Sequence, residues 1–227
     1  MKILTLSGWG QPYDALADLL PEATHMEYAH HEAIDQALDS IADTGQGYDV
    51  IIGWSLGGQL AARAIAAGKI KPKKLVLLAT PFQFVEIGKN GIGMKRDTFE
   101  IFYHNFMKNP ARTLNKAWDL VHYMDTQAKF IKDQLSTFSK DAVLTRNWLN
   151  WLALINGYSC KELDFQSFPP TLIVHGTRDA VVGVEQAECF VKHIASARLE
   201  IWQDCGHAPH WHDRNRLRSL IMEHTGV

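Results

Sequence analysis

The chain has 227 residues, 46% of them hydrophobic and 21% charged. That length suits one globular domain, or a domain with a subdomain, with a core large enough to need no disulfide or metal staple. Its 23 basic and 25 acidic side chains leave a net charge of −2, which argues against a nucleic-acid or polyanion binder.

In chain order, residues 2–6 form the first apolar run of strand length, followed by the turn Ser7-Gly8-Trp9-Gly10 and a predicted helix over 13–20. Residues 24–28 read as a weak strand, and 33–42 carry Ile34, Leu38 and Ile41 at helical spacing. A strand over 48–52, an Ala-rich helix over 56–67 stopped by Gly68, and a strand over 74–78 follow. Strands over 171–175 and, more weakly, 198–202 come late, with helices over 184–194 and 217–224. The strands are continuously apolar rather than alternating, as in a parallel sheet covered on both faces. Strand and helix take turns, which is the α/β pattern.

Between 82 and 168 the alternation stops. Helices are predicted over 98–107, 111–124, 127–138 and 142–155, until Pro169-Pro170 ends the segment. The expected organisation is an α/β core, residues 1–81 and 169–227, with an all-helical cap insertion over 82–168. The three cysteines, Cys160, Cys189 and Cys205, are far apart and odd in number, which fits a reducing compartment. No signal-peptide core and no run near 20 apolar residues is present, so a soluble cytoplasmic protein without membrane contact is expected, most simply a monomer.

The most informative residues are Gly53-Trp54-Ser55-Leu56-Gly57, a G-x-S-x-G pattern between a strand and a helix. Bare, the pattern occurs by chance; the strand before and the helix after give it meaning. A serine on such a sharp turn projects over the sheet edge, and glycines two positions away let strand and helix approach. Hydrolases of this kind carry serine, acid and base in that chain order. Asp179 follows the strand 171–175 and His207 follows the strand 198–202. Asp204 is a competing carboxylate, but so near His207 it reads as a turn residue. Among 11 histidines, His30-His31 reads as solvated and His175 as packed or supporting. His207, His210 and His212 contain metal-ligand types, but no matching Cys, Glu or His spacing accompanies them, so no metal is expected. Two backbone N–H groups, those of Trp9 and Leu56, are expected to form an oxyanion hole. Gly8-x-Gly10 with Glu27 further on could instead begin a dinucleotide fingerprint. Tyr13 stands where its third glycine belongs and Pro12 disturbs the helix opening, so no cofactor is expected.

These motifs, with Gly206-His207-Ala208-Pro209, resemble the α/β-hydrolase superfamily over nearly the whole chain. Within it, the Gly8-Trp9-Gly10 turn and Gly53-Trp54-Ser55-Leu56-Gly57-Gly58 are most similar to the pimeloyl-[acyl-carrier-protein] methyl ester esterases of biotin synthesis. The resemblance implies a Ser55–His207–Asp179 esterase acting on an acyl ester of the kind that acyl carrier protein can carry. Two departures stand out. Ser7 replaces the usual histidine before Gly8, losing a residue that commonly braces the oxyanion loop. The chain opens directly on the strand bearing this turn, so about six strands are expected, all parallel. In that family, cap arginines meet the acidic carrier. Here residues 82–168 hold 11 Lys/Arg against 9 Asp/Glu, and Lys108, Arg112 and Lys116 fall at helix-neighbour spacing. They read equally as a solvated helix face. Trp9, Trp54, Phe82 and Phe106 are the expected substrate-pocket walls. A short-chain carboxylesterase, an acyl thioesterase, a cofactor-free haloperoxidase or C–C bond hydrolase, and a ligand receptor that keeps the fold without turnover remain open at this point.

Overall fold

The computed structural model describes residues 1–88 and 91–226. The chain runs β1 (Ile3–Leu6), β2 (Thr24–Met26), α1 (Ile34–Gly45), β3 (Val50–Trp54), α2 (Leu56–Ala66) and β4 (Lys74–Leu78). Among the described residues five α-helices, α3 (Arg96–Lys108), α4 (Pro110–His122), α5 (Ala128–Ser136), α6 (Lys140–Leu144) and α7 (Trp148–Ile155), and two short 3-10 helices (Cys160–Glu162 and Phe165–Ser167) precede the return to the sheet. The chain closes with β5 (Thr171–Gly176), α8 (Glu185–His193), β6 (Ala197–Trp202), α9 (Pro209–His212) and α10 (Arg214–Thr225).

All six strands are parallel, in the order β2-β1-β3-β4-β5-β6. Every residue of β1, β3 and β5 is buried, which is why these strands are apolar without alternation. The edge strands β2 and β6 are only partly buried. Helix α2 is buried from Leu56 to Ile65; its Gly and Ala residues let it lie close under the sheet. Among the described residues no helix is long and apolar enough to cross a membrane.

Three elements differ from expectation. Residues 13–20 form successive turns instead of a helix, with bonds such as Ala17 N–H to Asp14 O and Leu19 N–H to Leu16 O. Pro12 and Pro21 bracket the stretch and its bonds are mostly of the i→i−3 turn type, yet Leu16, Leu19 and Leu20 still reach the core. The helix over 142–155 is two helices, α6 and α7. The break is made by distant partners: Asn147 donates from its backbone to Ala29 O and from its side chain to His30 O, while Arg146 pairs with Glu27. Helix α9, opened by Pro209 at its first position, escaped the periodicity.

Candidate active site

Ser55 occupies the step from β3 into α2 with φ 53° and ψ −121°, a conformation side chains rarely adopt. Its N–H donates to Leu78 O across to β4, which holds the turn against the sheet. The flanking glycines are required by contact. A Cβ on Gly57 would collide with the Leu6 carbonyl at the end of β1, and one on Gly53 with the Gly58 backbone. A packed crossing of strand and helix therefore imposes the strain on Ser55.

Asp179 lies just past β5 and His207 just past β6. His207 Nδ1 is 2.7 Å from Asp179 Oδ2. The other carboxylate oxygen, Oδ1, accepts from the backbone N–H groups of Val181 and Val182, both at 2.8 Å. Burial alone would raise the Asp179 pKa. The charge on His207, with hydrogen bonds from His175 and His207, outweighs burial and holds the carboxyl well below the usual range. His175, on β5, is fully buried; its Nε2 lies 2.8 Å from Val182 O and 3.3 Å from Asp179 Oδ2. It supports the carboxylate from below, and despite burial its pKa is raised by that carboxylate.

The turn after β1 packs onto Ser55: a Cβ on Gly8 would lie 3.2 Å from Ser55 Cβ. The missing histidine brace is replaced from elsewhere. Tyr28 Oη donates to Ser7 O at 2.7 Å and Trp118 Nε1 donates to Gly10 O at 2.9 Å. The Trp9 indole donates to Trp148 O and sits edge-on against Phe102, Phe106 and Trp148. Trp54 Nε1 donates to His207 O at 2.8 Å, tying the serine turn to the histidine loop.

One cavity joins these parts. Gly8, Trp9 and Gln11 contribute from the first turn, Trp54 and Ser55 from the second, and Val181 and His207 from the later loops. Phe84, Met94 and Phe102 supply apolar lining, as do Ala117, Leu120 and Val121 of α4. Phe82 and Phe106, expected on the wall, are not among the lining residues. Phe82 is buried elsewhere, because its ring stacks on that of Phe165 and packs edge-on against Phe190 of α8. Phe106 stands behind the wall, its ring 5.1 Å from that of Trp9. Phe84, Met94, Phe102 and the α4 residues take their place; two of the aromatics had a sequence signal only as members of the helical segment.

Asp204 is half exposed and pairs with Arg178, as a turn residue would. His210 is buried against Trp54 and Trp211, with neither ring nitrogen bonded to a described residue. Burial, then the nearby His207, pushes its pKa well below the ordinary histidine value. His212 Nδ1 lies 2.8 Å from Asp125 Oδ1, a contact with no sequence signal. Among the described residues one group, Asp125, Cys205 and His212, brings three possible ligand atoms within 4.8 Å of one another. Three protein donors already converge on that carboxylate: Gln127 N–H, Gly206 N–H and His212.

A parallel sheet that sets a strained serine, a histidine–carboxylate pair and a glycine turn at its strand ends defines an α/β hydrolase. The chain matches the alpha/beta hydrolase family over residues 3–218 and belongs to it. Curated relatives include the pimeloyl-[acyl-carrier protein] methyl ester esterase of Nitrosomonas europaea, 29% identical over 78% of this chain and 71% of the relative. The protein of the same name from Aromatoleum aromaticum is 26% identical over 91% of each chain. The esterase EaEST from Exiguobacterium antarcticum superposes with a TM-score of 0.82 over 100% of this chain and 92% of that one. At 16% identity that likeness is one of fold.

Proposed function

We propose that the protein is a serine carboxylesterase that removes the methyl group from pimeloyl-[acyl-carrier protein] methyl ester, the activity named for the relatives from N. europaea and A. aromaticum. The observation that carries the esterase reading is the 2.7 Å bond from His207 to Asp179 beside a strained Ser55 on the same cavity wall. His207 takes the Ser55 proton as Ser55 attacks the ester carbonyl. The N–H groups of Trp9 and Leu56 hold the oxyanion, the second at the N-terminus of α2. Asp179 keeps the proton of the resting imidazole on Nδ1 and stabilises the imidazolium. Methanol leaves with the proton from His207, and a water activated by the same residue clears the acyl-enzyme.

The pimeloyl assignment draws on the relatives and on the cavity. Its apolar walls suit a methylene chain, and its polar lining residues, Ser55, His207 and Gln11, suit the ester. Exposed Lys108, Arg112 and Lys116, beside the wall formed by α4, would meet an acidic carrier. The test is methanol release from the pimeloyl-carrier ester beside short p-nitrophenyl esters, with Ser55→Ala as control. Fast, Ser55-dependent release well above the generic esters is expected. Short-ester turnover alone would keep the serine hydrolase and remove the carrier substrate. No Ser55-dependent turnover on any ester would overturn the enzyme reading.

A further inference from the structure

Asp125 is a buried carboxylate that the reaction proposed above does not use. It sits one turn past α4, and its bonds reach the loop that carries His207. Oδ2 accepts from Gly206 N–H at 2.6 Å, and Oδ1 accepts from Gln127 N–H and lies 2.8 Å from His212 Nδ1. Gly206 is the residue immediately before His207. The stitching continues on both sides: His207 N–H donates to Val121 O on α4, and Thr126 N–H donates to Asp204 O. Met124 and Asp204, one in each of the two segments so joined, both hold φ 60°. Non-glycine residues keep that conformation where surrounding contacts over-determine it. Gly206 also lies against Asp125, with room for a Cβ only at 3.3 Å from the carboxylate.

The same helix grips the opposite side of the site. Trp118 of α4 donates to Gly10 O in the oxyanion turn, and Ala117, Leu120 and Val121 line the cavity. We propose that Asp125 is a positioning residue for His207, acting through Gly206, so that α4 sets the base and the oxyanion turn as one rigid piece. The proposal rests on the esterase reading. The carboxylate is suited to this because it accepts three donors from three separate segments, 125–127, the His207 loop and α9. An amide in its place would have one oxygen for three donors and would turn an NH2 toward one of them.

The test uses the full chain with Asp125→Asn, His212→Asn and His212→Leu. An asparagine at 212 can donate from nearly the same place as His212 Nδ1; a leucine cannot. Three quantities are read: kcat and KM on p-nitrophenyl butyrate, labelling of Ser55 by a fluorophosphonate, and the His207 tautomer from its ring 15N shifts. A displacement of a catalytic group by about 1 Å typically costs on the order of 100-fold, so Asp125→Asn is expected to lower kcat about 100-fold with KM within about twofold. Its His207 ring should lose the single Nδ1–H tautomer. His212→Leu should lose roughly tenfold and His212→Asn should recover most of that. A folded Asp125→Asn with the wild-type kcat and tautomer overturns the proposal, even if its melting temperature falls. If Asp125→Asn does not fold, equal kcat for the two His212 variants overturns it. If wild type neither turns over ester nor takes the fluorophosphonate, the esterase reading fails, and the tautomer comparison still decides the role of Asp125.

Discussion

Asp179→Asn changes one atom at the most constrained point of the site. Two backbone donors, Val181 and Val182 at 2.8 Å, claim the carboxylate oxygen that faces away from His207. An asparagine has a single oxygen, and those donors fix where it goes. Flipping the amide would press an NH2 against two N–H groups, forfeiting two bonds of about 1 kcal/mol each and leaving both donors buried. The NH2 is therefore turned to His207, where it donates to Nδ1. The imidazole must then carry its proton on Nε2, the nitrogen the proposed mechanism uses as base, and has no lone pair there for the serine proton. A wrong-tautomer histidine lowers kcat by about 10⁴ in the triad hydrolase where this was dissected, which is about 5 kcal/mol of barrier.

The fold should survive that substitution. His175 keeps its 2.8 Å bond to Val182 O and loses only the longer contact to Asp179. The stability cost is expected at about 1–3 kcal/mol, read from the urea midpoint. The assay is kcat on a p-nitrophenyl ester, with Asp204→Asn as the matched control. Asp204 is half exposed and paired with Arg178, so its neutralisation should leave kcat within about twofold. The reasoning is refuted if Asp179→Asn keeps more than about a tenth of the wild-type kcat, or if Asp204→Asn loses as much as Asp179→Asn.

Other outcomes follow from the same contacts. Gly57→Ala drives a Cβ into the Leu6 carbonyl, and overpacking of this kind costs about 3 kcal/mol or more, visible as loss of soluble or cooperatively unfolding protein. His210→Phe removes two buried ring nitrogens that have no partner among the described residues and should raise the unfolding free energy, read from the urea midpoint, by about 1–2 kcal/mol. Because the folded pKa of His210 lies below its unfolded value, wild type loses stability as pH falls below about 6.5, and the advantage of the phenylalanine variant should widen there. Asp125 is held below the usual carboxylate range: burial opposes this, but His212, Gly206 and Gln127 outweigh it. Its contribution and that of Asp179 are full above about pH 5 and lost as pH falls further, so an acid titration should show cooperative unfolding that Asp125→Asn blunts.

The positions of Ser55, Asp179 and His207 were legible because each lies at a short, fixed offset from the end of a strand, and a parallel sheet brings all strand ends to one edge. Turn chemistry and strand patterning are local, so local sequence carries them. The pocket wall was not legible in the same way. Phe82, Phe84, Phe102 and Phe106 are alike in composition and neighbourhood, and only the packing of α3 and α4 on the sheet decides which ring faces the cavity. The break between α6 and α7 has the same origin, since Asn147 is claimed by backbone oxygens more than 100 residues earlier.

The bracing of the glycine turn after β1 shows why such features escape a one-dimensional reading. Ser7 in place of histidine looks like a loss when only the turn is considered. The work is done by Tyr28, just past β2, and by Trp118, on a helix that follows β4. Neither residue carries a motif, and either would read as ordinary core. Yet both hold backbone carbonyls of the turn, and a buried carbonyl needs a donor wherever in the chain that donor originates. Trp118 and Asp125, one on α4 and one just past it, each satisfy one side of the site. The helical segment therefore does more than cover the cavity: it completes hydrogen bonding that the sheet's own turns leave open, and its removal should inactivate the protein even on esters small enough to need no wall.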